Sequence, residues 1–403
     1  MSSTSDTADS SSGPGTPLAA ATRLITGGRD HNGAALAPTL VNSTTFRPAS
    51  VLEARRMATQ PRPTHFYSRY GNPTVADFED AIANLEGAEA ARAFASGMGA
   101  ISGTVLALCS KGSHIVAARQ LYGGTRQLLE NVCPRFGIDV TFVDGTLPGA
   151  MAGAVEPGRT TLVIAESPSN PRLDLIDLDE LGAIQGPFTV LDSTFATPLG
   201  QQPIAHGVDL VIHSASKAIG GHNDAILGVV AGPADLIDWI SGFAALQGAC
   251  ASPADALSGL RGLRTLAVRL QQQSATAAEL ARTLVLHGAI SEVCYPGLAT
   301  HPQHDLAVRQ LAMMGGLVTF DLAGGFDAGT KFVEALGLVV HAPSVGGPET
   351  LVCHPASTTH VGLDPDDLAL DGIGPGTIRL SCGLEATADV VADVCQALGS
   401  SGG

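Results

Sequence analysis

Short apolar runs rich in β-branched residues recur along the middle of the chain, at 113–117, 138–143, 161–166, 188–192 and 208–213. Each has the length of a buried strand and ends at polar, glycine or proline residues. Helical stretches lie between them. Strands that alternate with helices predict a mostly parallel sheet covered on both faces. Upstream, Val75, Phe78, Ile82 and Leu85 follow helical spacing, and Thr74 stands where a helix cap belongs. Downstream, Leu260, Leu263, Leu266 and Leu270 predict one long helix from Leu257 to Leu270 that continues through 271–287. It leads toward a second, smaller domain with strands near 316–322 and 376–381 and helices near 328–337 and 386–398.

The first 70 residues have a different pattern. Residues 1–17 are rich in Ser, Thr, Gly, Pro and Asp and lack a basic start followed by an apolar stretch. They predict a disordered tail and not a signal peptide. Residues 18–71 form an extended arm, because prolines at 38, 48, 61 and 63 interrupt long helices, with room for a short strand at Val41–Phe46. An arm without its own core is expected to pack on a neighbouring subunit. The expected division is therefore 1–17 tail, 18–71 arm, 72–270 main domain and 271–403 C-terminal domain.

Composition narrows the class. The 403 residues are 45% hydrophobic and 15% charged, enough for a large core, and no internal repeat is visible. A net charge of -16 argues against nucleic acid or an anionic membrane as partner. No apolar run approaches the ~20 residues of a membrane helix. The seven cysteines form no Cys-x-x-Cys pair, which fits reduced thiols in a cytoplasmic protein.

Chemistry gathers at the carboxyl ends of the predicted strands, where open α/β sheets bind ligands. Leu162–Glu166 leads into Ser167-Pro168-Ser169-Asn170-Pro171. Thr189–Asp192 leads into Ser193-Thr194-Phe195. The run Val208–His213 leads into Ser214-Ala215-Ser216-Lys217-Ala218-Ile219-Gly220-Gly221-His222. Lys217 is one of only three lysines, with Lys111 and Lys331, so its place beside a core strand points to function. Ser96-Gly97-Met98-Gly99 turns a strand into a helix, and its glycines let backbone N–H groups approach an anion. Arg379, in Ile378-Arg379-Leu380-Ser381, is flanked by apolar residues on a predicted strand and needs an anionic partner, either an internal acid or a substrate carboxylate.

A lysine, an aspartate, an anion hole and an arginine together suit pyridoxal 5'-phosphate (PLP). A lysine amine forms a Schiff base with the aldehyde. An aspartate keeps the pyridine nitrogen protonated, so the ring is an electron sink. Ser214, Ser216 and the Gly97 and Met98 amides suit the phosphate, Arg379 an amino acid's carboxylate, and Tyr122 a stacking contact with the ring.

These stretches, with Tyr67-Ser68-Arg69-Tyr70-Gly71-Asn72-Pro73-Thr74, resemble the cystathionine γ-synthase (Cys/Met metabolism) family of PLP-dependent enzymes over residues 20 to 400. That family includes cystathionine γ-lyase, methionine γ-lyase and O-acetylhomoserine sulfhydrylase. The resemblance implies the aspartate-aminotransferase-type α/β fold, with a large, mostly parallel seven-stranded sheet domain and a smaller C-terminal α/β domain. It implies a homotetramer of tight dimers with shared active sites. It makes Lys217 the Schiff-base lysine and proton shuttle, and pairs Asp192 with the pyridine nitrogen. It sets Thr194 near the ring's 3′ oxygen and Ser96, Gly97, Met98, Ser214 and Ser216 around the phosphate. Tyr67 and Arg69 would reach the phosphate of the neighbouring subunit. Tyr122 would stack and exchange protons with the leaving group. Glu166 and Asn170 would surround the ring, and Asn170, Ser344, Thr359 and Arg379 would orient substrate.

Two positions depart from the family's specificity markers. Gly124 stands where methionine γ-lyases typically carry cysteine, and Pro343 where many cystathionine-handling members carry glutamate. Since Pro343 offers nothing to a second amino acid's ammonium, γ-elimination on a sulfur-containing or O-activated homoserine-type substrate is expected ahead of γ-replacement. Two remoter readings are a non-catalytic PLP-fold protein and an acyl-serine hydrolase built on Ser214-x-x-Lys217. The second lacks the Lys-Thr-Gly strand of that class. Nicotinamide binding fails at Ser102, which occupies the third fingerprint glycine. His301-x-x-His304 has no Glu beside it to suggest a metal hydrolase, and no metal is expected.

Overall fold

The computed structural model describes residues 18–29, 31–358, 361 and 365–401. The tail at 1–17 and Thr359 lie outside the described residues. Seven strands form the larger sheet: β1 (Ala90–Phe94), β2 (His114–Ala118), β3 (Asp139–Val143), β4 (Thr160–Glu166), β5 (Phe188–Asp192), β6 (Leu210–His213) and β7 (Gly228–Gly232). Their spatial order is β1-β7-β6-β5-β4-β2-β3. Only β7 runs against its neighbours, pairing antiparallel with both β1 and β6. The rest of the sheet is parallel, and apart from the half-exposed edge strand β3 it is buried on both faces, which explains the continuous apolar runs of the inner strands.

Register sets up the site. Glu166 lies opposite Asp192 across β4 and β5, and Asp192 lies opposite Ile212 across β5 and β6. Three strands therefore end at one level, and the loops beyond them open on the same side.

The helix expected at 75–86 spans Pro73–Glu86. The Asn72 side chain caps it by accepting from the Thr74 amide, and Gly87 ends it in the left-handed region at φ 69°. Its buried face carries Phe78 and Ile82 into a core on one side of the sheet. Phe94, Ile101 and Leu129 fill the other side.

Two expectations are corrected. Val41–Phe46 is not a strand; only Thr45 pairs, in an isolated antiparallel bridge with Tyr67. Side chains take the place of a partner strand. Thr74 Oγ1 accepts from the Val41 amide, while Asn72 Nδ2 and Ser68 Oγ donate to the carbonyls of Val41 and Ser43. The long helix is two, Pro253–Leu263 and Leu266–Val285. At the break the Gly262 carbonyl, which also accepts from Thr265, accepts from the buried Arg269 guanidinium, which donates as well to the Ala218 carbonyl just after Lys217. Burying that cation requires such acceptors, and a continuous helix would not expose one.

Leu266–Val285 leads to a second sheet: β8 (Ile290–Cys294), β9 (Leu317–Leu322), β10 (Val340–His341), β11 (Leu351–Cys353) and β12 (Thr377–Ser381), in the order β10-β11-β12-β9-β8. Helices Gly325–Ala335 and Thr387–Ser401 cover it around Phe320, Phe332 and Val394. Arg379 sits in the centre of β12, paired with Thr319 of β9 and Cys353 of β11. Among the described residues no helix is long and apolar enough to cross a membrane.

Candidate active site

The strand ends open into a cavity of about 640 Å³. Its floor is a hydrogen-bonded chain. The Thr194 hydroxyl donates to Asp192 Oδ1 at 2.5 Å, and the Thr194 amide donates to the same oxygen at 3.0 Å. The hydroxyl oxygen accepts from the Ser214 amide at 2.8 Å. Thr194 therefore ties the end of β5 to the end of β6. Burial pushes the Asp192 carboxyl above its ordinary range, opposed by the Thr194 donors and by nearby His213. Glu166, also buried, is pushed up further by burial and by the negative field of Asp192, though it accepts from the Tyr122 amide at 2.6 Å.

One wall is the start of helix Gly97–Leu108. The Ser96 hydroxyl caps this helix, accepting from the Gly99 amide at 3.0 Å, so its contribution to the cavity is structural as well as polar. The first-turn amides of a helix have no intrahelical acceptor and favour an anion. Glycine is required at 97, because a Cβ there would lie 2.7 Å from Cβ of Ser214. Ser216 lines the cavity with its hydroxyl already engaged in both directions by Leu227, donating to the carbonyl and accepting from the amide.

Opposite the floor, Lys217 Nζ donates to Ser344 Oγ at 3.0 Å. Burial and the Arg379 charge lower its affinity for a proton below that of an ordinary lysine. Arg379 is 3% exposed and, though it lies in the field of Glu166, hydrogen-bonds no carboxylate among the described residues. Nη1 donates to Asn170 Oδ1 at 2.6 Å and Nη2 to the Ser344 carbonyl at 3.2 Å, while Nε has no partner. A buried guanidinium with only neutral acceptors is poised for an anion. Ser344 serves both cations, with φ at 111°, where a non-glycine residue costs about 1–3 kcal/mol. Tyr122, 43% exposed, lies at the mouth with its ring against Gly124.

The cavity thus brings together Ser96, Gly97, Met98, Tyr122, Glu166, Asn170, Asp192, Thr194, Ser214, Ser216, Lys217, Ser344 and Arg379. Tyr67 and Arg69 do not line it. They sit on the arm, with the Arg69 guanidinium over the Tyr67 and Tyr70 rings and Nη1 donating to the Ala245 carbonyl. Ile101, Phe195, Asn223, Ala225 and Ile226 also line the cavity, roles that the sequence pattern does not assign to them. The available signal was position: three of them follow Lys217 within ten residues.

The donor set fits PLP. An amine of weakened basicity, a buried carboxylate and a helix start made tight by Gly97 and Ser214 share one cavity, and Arg379, whose Nε has no hydrogen-bond partner among the described residues, lines it too. Among the described residues no cluster of His, Cys, Asp and Glu could hold a metal ion.

A family model described as Cys/Met metabolism PLP-dependent enzyme matches residues 21–399. The chain is 43% identical over 339 residues to the O-succinylhomoserine sulfhydrylase of Pseudomonas aeruginosa, covering 83% of this chain and 84% of that protein. It is 47% identical over 337 residues to the L-methionine gamma-lyase of Brevibacterium aurantiacum, covering 83% and 80%. It is also similar to the crystal structure of cystathionine gamma synthase from Xanthomonas oryzae pv. oryzae in complex with aminoacrylate and cysteine. There the TM-score is 0.90 at 36% identity, over 96% of this chain and 99% of that one.

Proposed function

The chain belongs to the Cys/Met metabolism family of PLP-dependent enzymes, and we propose that within it the protein carries out γ-elimination on an amino acid with an uncharged γ-substituent. The family's reactions, γ-elimination or γ-replacement on an amino-acid substrate, make it a lyase or transferase of methionine and cysteine metabolism.

One observation carries the choice. The only charged residues lining the described cavity are Glu166, Asp192, Lys217 and Arg379. The first three belong to the cofactor's side of the site and Arg379 to the substrate carboxylate. No lining charge remains for a substituent that is itself charged, and Ile226, Ala342, Pro343 and Leu351 give the lining an apolar part. A methylthio group or a free thiol suits such a wall.

Bound PLP supplies an electron sink for the charge left when a proton leaves the carbon beside the substrate's amino group. The remaining work falls to side chains. Lys217 Nζ would hold the cofactor's aldehyde and would move protons at the substrate's α- and β-carbons; its lowered basicity suits that exchange. Ser344 Oγ steadies the amine. Arg379, with Asn170 and Thr359, orients the carboxylate. Asp192, fixed by Thr194, would hold the ring nitrogen, and Thr194 the 3′ oxygen. The Gly97 and Met98 amides with Ser96, Ser214 and Ser216 hold the phosphate, joined by Tyr67 and Arg69 of a neighbouring subunit. Tyr122 Oη exchanges a proton with the leaving group, and Glu166 packs beside the ring. This reading makes the protein a cytoplasmic homo-oligomer of dimers with shared sites, in which arm 18–71 reaches across and domains 72–270 and 271–403 bind cofactor and substrate.

γ-Replacement is the second reading. Asn223, on the cavity wall, donates to Glu349 Oε2 at 2.7 Å, which sets a carboxylate near the rim where an incoming amino acid's ammonium would pass. Holoenzyme incubated with methionine, homocysteine, cysteine, cystathionine and O-acetyl- and O-succinylhomoserine, with and without added thiol, separates the two by product mass. A four-carbon 2-oxo acid from methionine or homocysteine is expected. Predominant thioether formation from an acylated homoserine plus thiol would replace this reading with the second.

A further inference from the structure

Lys217 and Ser344 meet at the cavity although they come from different sheets. Lys217 sits in the turn between β6 and β7 of the larger sheet, and Ser344 in the loop between β10 and β11 of the smaller one. Their contact is the 3.0 Å hydrogen bond from Nζ to Oγ. One hydrogen bond between side chains on irregular backbone does not fix the separation of a turn and a loop. Something beneath them must.

One face of helix Leu266–Val285 touches both. Arg269 and Gln273 are four residues apart, so they lie one above the other on the helix. They are 3% and 2% exposed. Arg269 Nη1 donates to the carbonyl of Ala218, the residue after Lys217, at 2.8 Å. Its Nη2 donates to the Gly262 carbonyl at 2.7 Å and its Nε to Thr265 Oγ1 at 3.0 Å. Gln273 Nε2 donates at 2.9 Å to the carbonyl of Gly347, three residues after Ser344. Neither contact has slack. Gly221 closes the Lys217 turn at φ 70°, and a Cβ there would overlap the Arg269 guanidinium. A Cβ on Gly316 would lie 2.8 Å from Cβ of Gln273. Turn and loop also abut each other, since a Cβ on Gly346 would lie 2.6 Å from the Ala218 amide nitrogen.

A buried carbonyl outside regular structure needs a donor. Here the donors for both segments come from a single rigid element. Were the helix only a joint between the two sheets, apolar side chains would fill this face at less cost.

We infer that Arg269 and Gln273 are positioning residues, two fixed points on one helix face that set the Lys217 turn against the Ser344 loop. The points divide the work. Arg269 secures the turn that carries the amine. Gln273 secures the loop of Ser344, whose carbonyl accepts from Arg379. The inference rests on the proposed reading that Lys217 holds the cofactor and Arg379 the substrate carboxylate.

The test compares variants of the holoenzyme by kcat per bound cofactor, by KM, and by the rate at which hydroxylamine, which captures aldehydes, removes the visible absorbance of lysine-bound cofactor. Arg269→Lys keeps a donor but cannot reach both carbonyls. It should lower kcat per bound cofactor roughly tenfold, speed the loss of absorbance by a similar factor and leave KM within about twofold. Gln273→Met keeps the bulk and loses the donor. It should raise KM roughly tenfold and leave kcat per bound cofactor and the absorbance decay within about twofold. If both variants only reduce melting temperature or the share of chains carrying cofactor, with kcat per bound cofactor and KM as in the parent, the helix is a structural joint and the inference fails. Identical kinetic profiles for the two variants would overturn it as well. Gln273→Met removes one hydrogen bond without emptying its site, so it decides the matter even where Arg269→Lys does not fold. Visible absorbance surviving in Lys217→Ala would remove the underlying reading and this inference together, whereas the other failures leave that reading standing.

Discussion

The floor of the cavity and its rim are built by different means. On the floor, Asp192, Thr194 and Ser214 are linked by hydrogen bonds of 2.5 to 3.0 Å, and each lies within two residues of a strand end. The sheet's register sets their spacing, so the floor is as rigid as the core beneath it. The rim is assembled from separate loops. Asn223 and Ser344 both sit at positive φ, 57° and 111°, and Ile226 is 66% exposed. Groups at strand ends are held by the sheet, while loops on such a scaffold are free to change what is admitted. Relatives of similar identity to this chain bear names of different reactions.

The contrast breaks most completely at Lys217. Lys217→Ala leaves the Asp192–Thr194–Ser214 chain intact and removes the amine. The visible absorbance of lysine-bound cofactor should vanish, and turnover should fall to background. Turnover persisting in the variant would mean that the floor does not carry the reaction. Arg379 joins the two regions, since it bonds both Asn170 beyond β4 and the rim residue Ser344. Arg379→Ala should lower kcat/KM roughly hundredfold, chiefly by raising KM, because a charged pair with the substrate carboxylate is lost. An unchanged KM would take the carboxylate away from this residue.

The same division governs what the sequence made legible. The floor could be read because its residues sit at the ends of buried parallel strands, where composition shifts abruptly: Ala165 to Glu166, Leu191 to Asp192 and Ile212 to Ser214. Arg379 stood out as a charge among apolar neighbours of a strand. The rest depended on tertiary context. β7, Gly-Val-Val-Ala-Gly, carries no local sign that it runs antiparallel. At the helix break near 264 the buried Arg269 finds its acceptors, one of them at Ala218, 51 residues away. Ile226 and Phe195 are ordinary apolar residues until the loops place them at the cavity. His213 read as part of the lysine motif, and its partner Glu86, 127 residues distant, as the end of an amphipathic helix.

The smallest expected effect lies at the rim, at Pro343. It is exposed, lines the cavity and precedes Ser344, which holds both Lys217 and Arg379. Pro343→Glu places a carboxylate where a substrate's distal ammonium would lie, next to a wall that otherwise has no charge of its own. An exposed charge pair is worth about 0.2–1 kcal/mol, so the kcat/KM for cystathionine relative to methionine should rise only about two- to fivefold. Removing a proline also loosens the loop, by about 0.4–1 kcal/mol of backbone entropy, and slack at position 344 would disturb both cations. Pro343→Gln separates these causes, since it brings the same slack without the charge. If the Gln variant lowers kcat for both substrates and leaves their ratio alone, while the Glu variant raises the ratio, the rim selects by charge. If the two variants shift the ratio equally, selection at the rim is a matter of how firmly the loop holds Ser344, and the apolar wall would no longer explain a preference for an uncharged substituent.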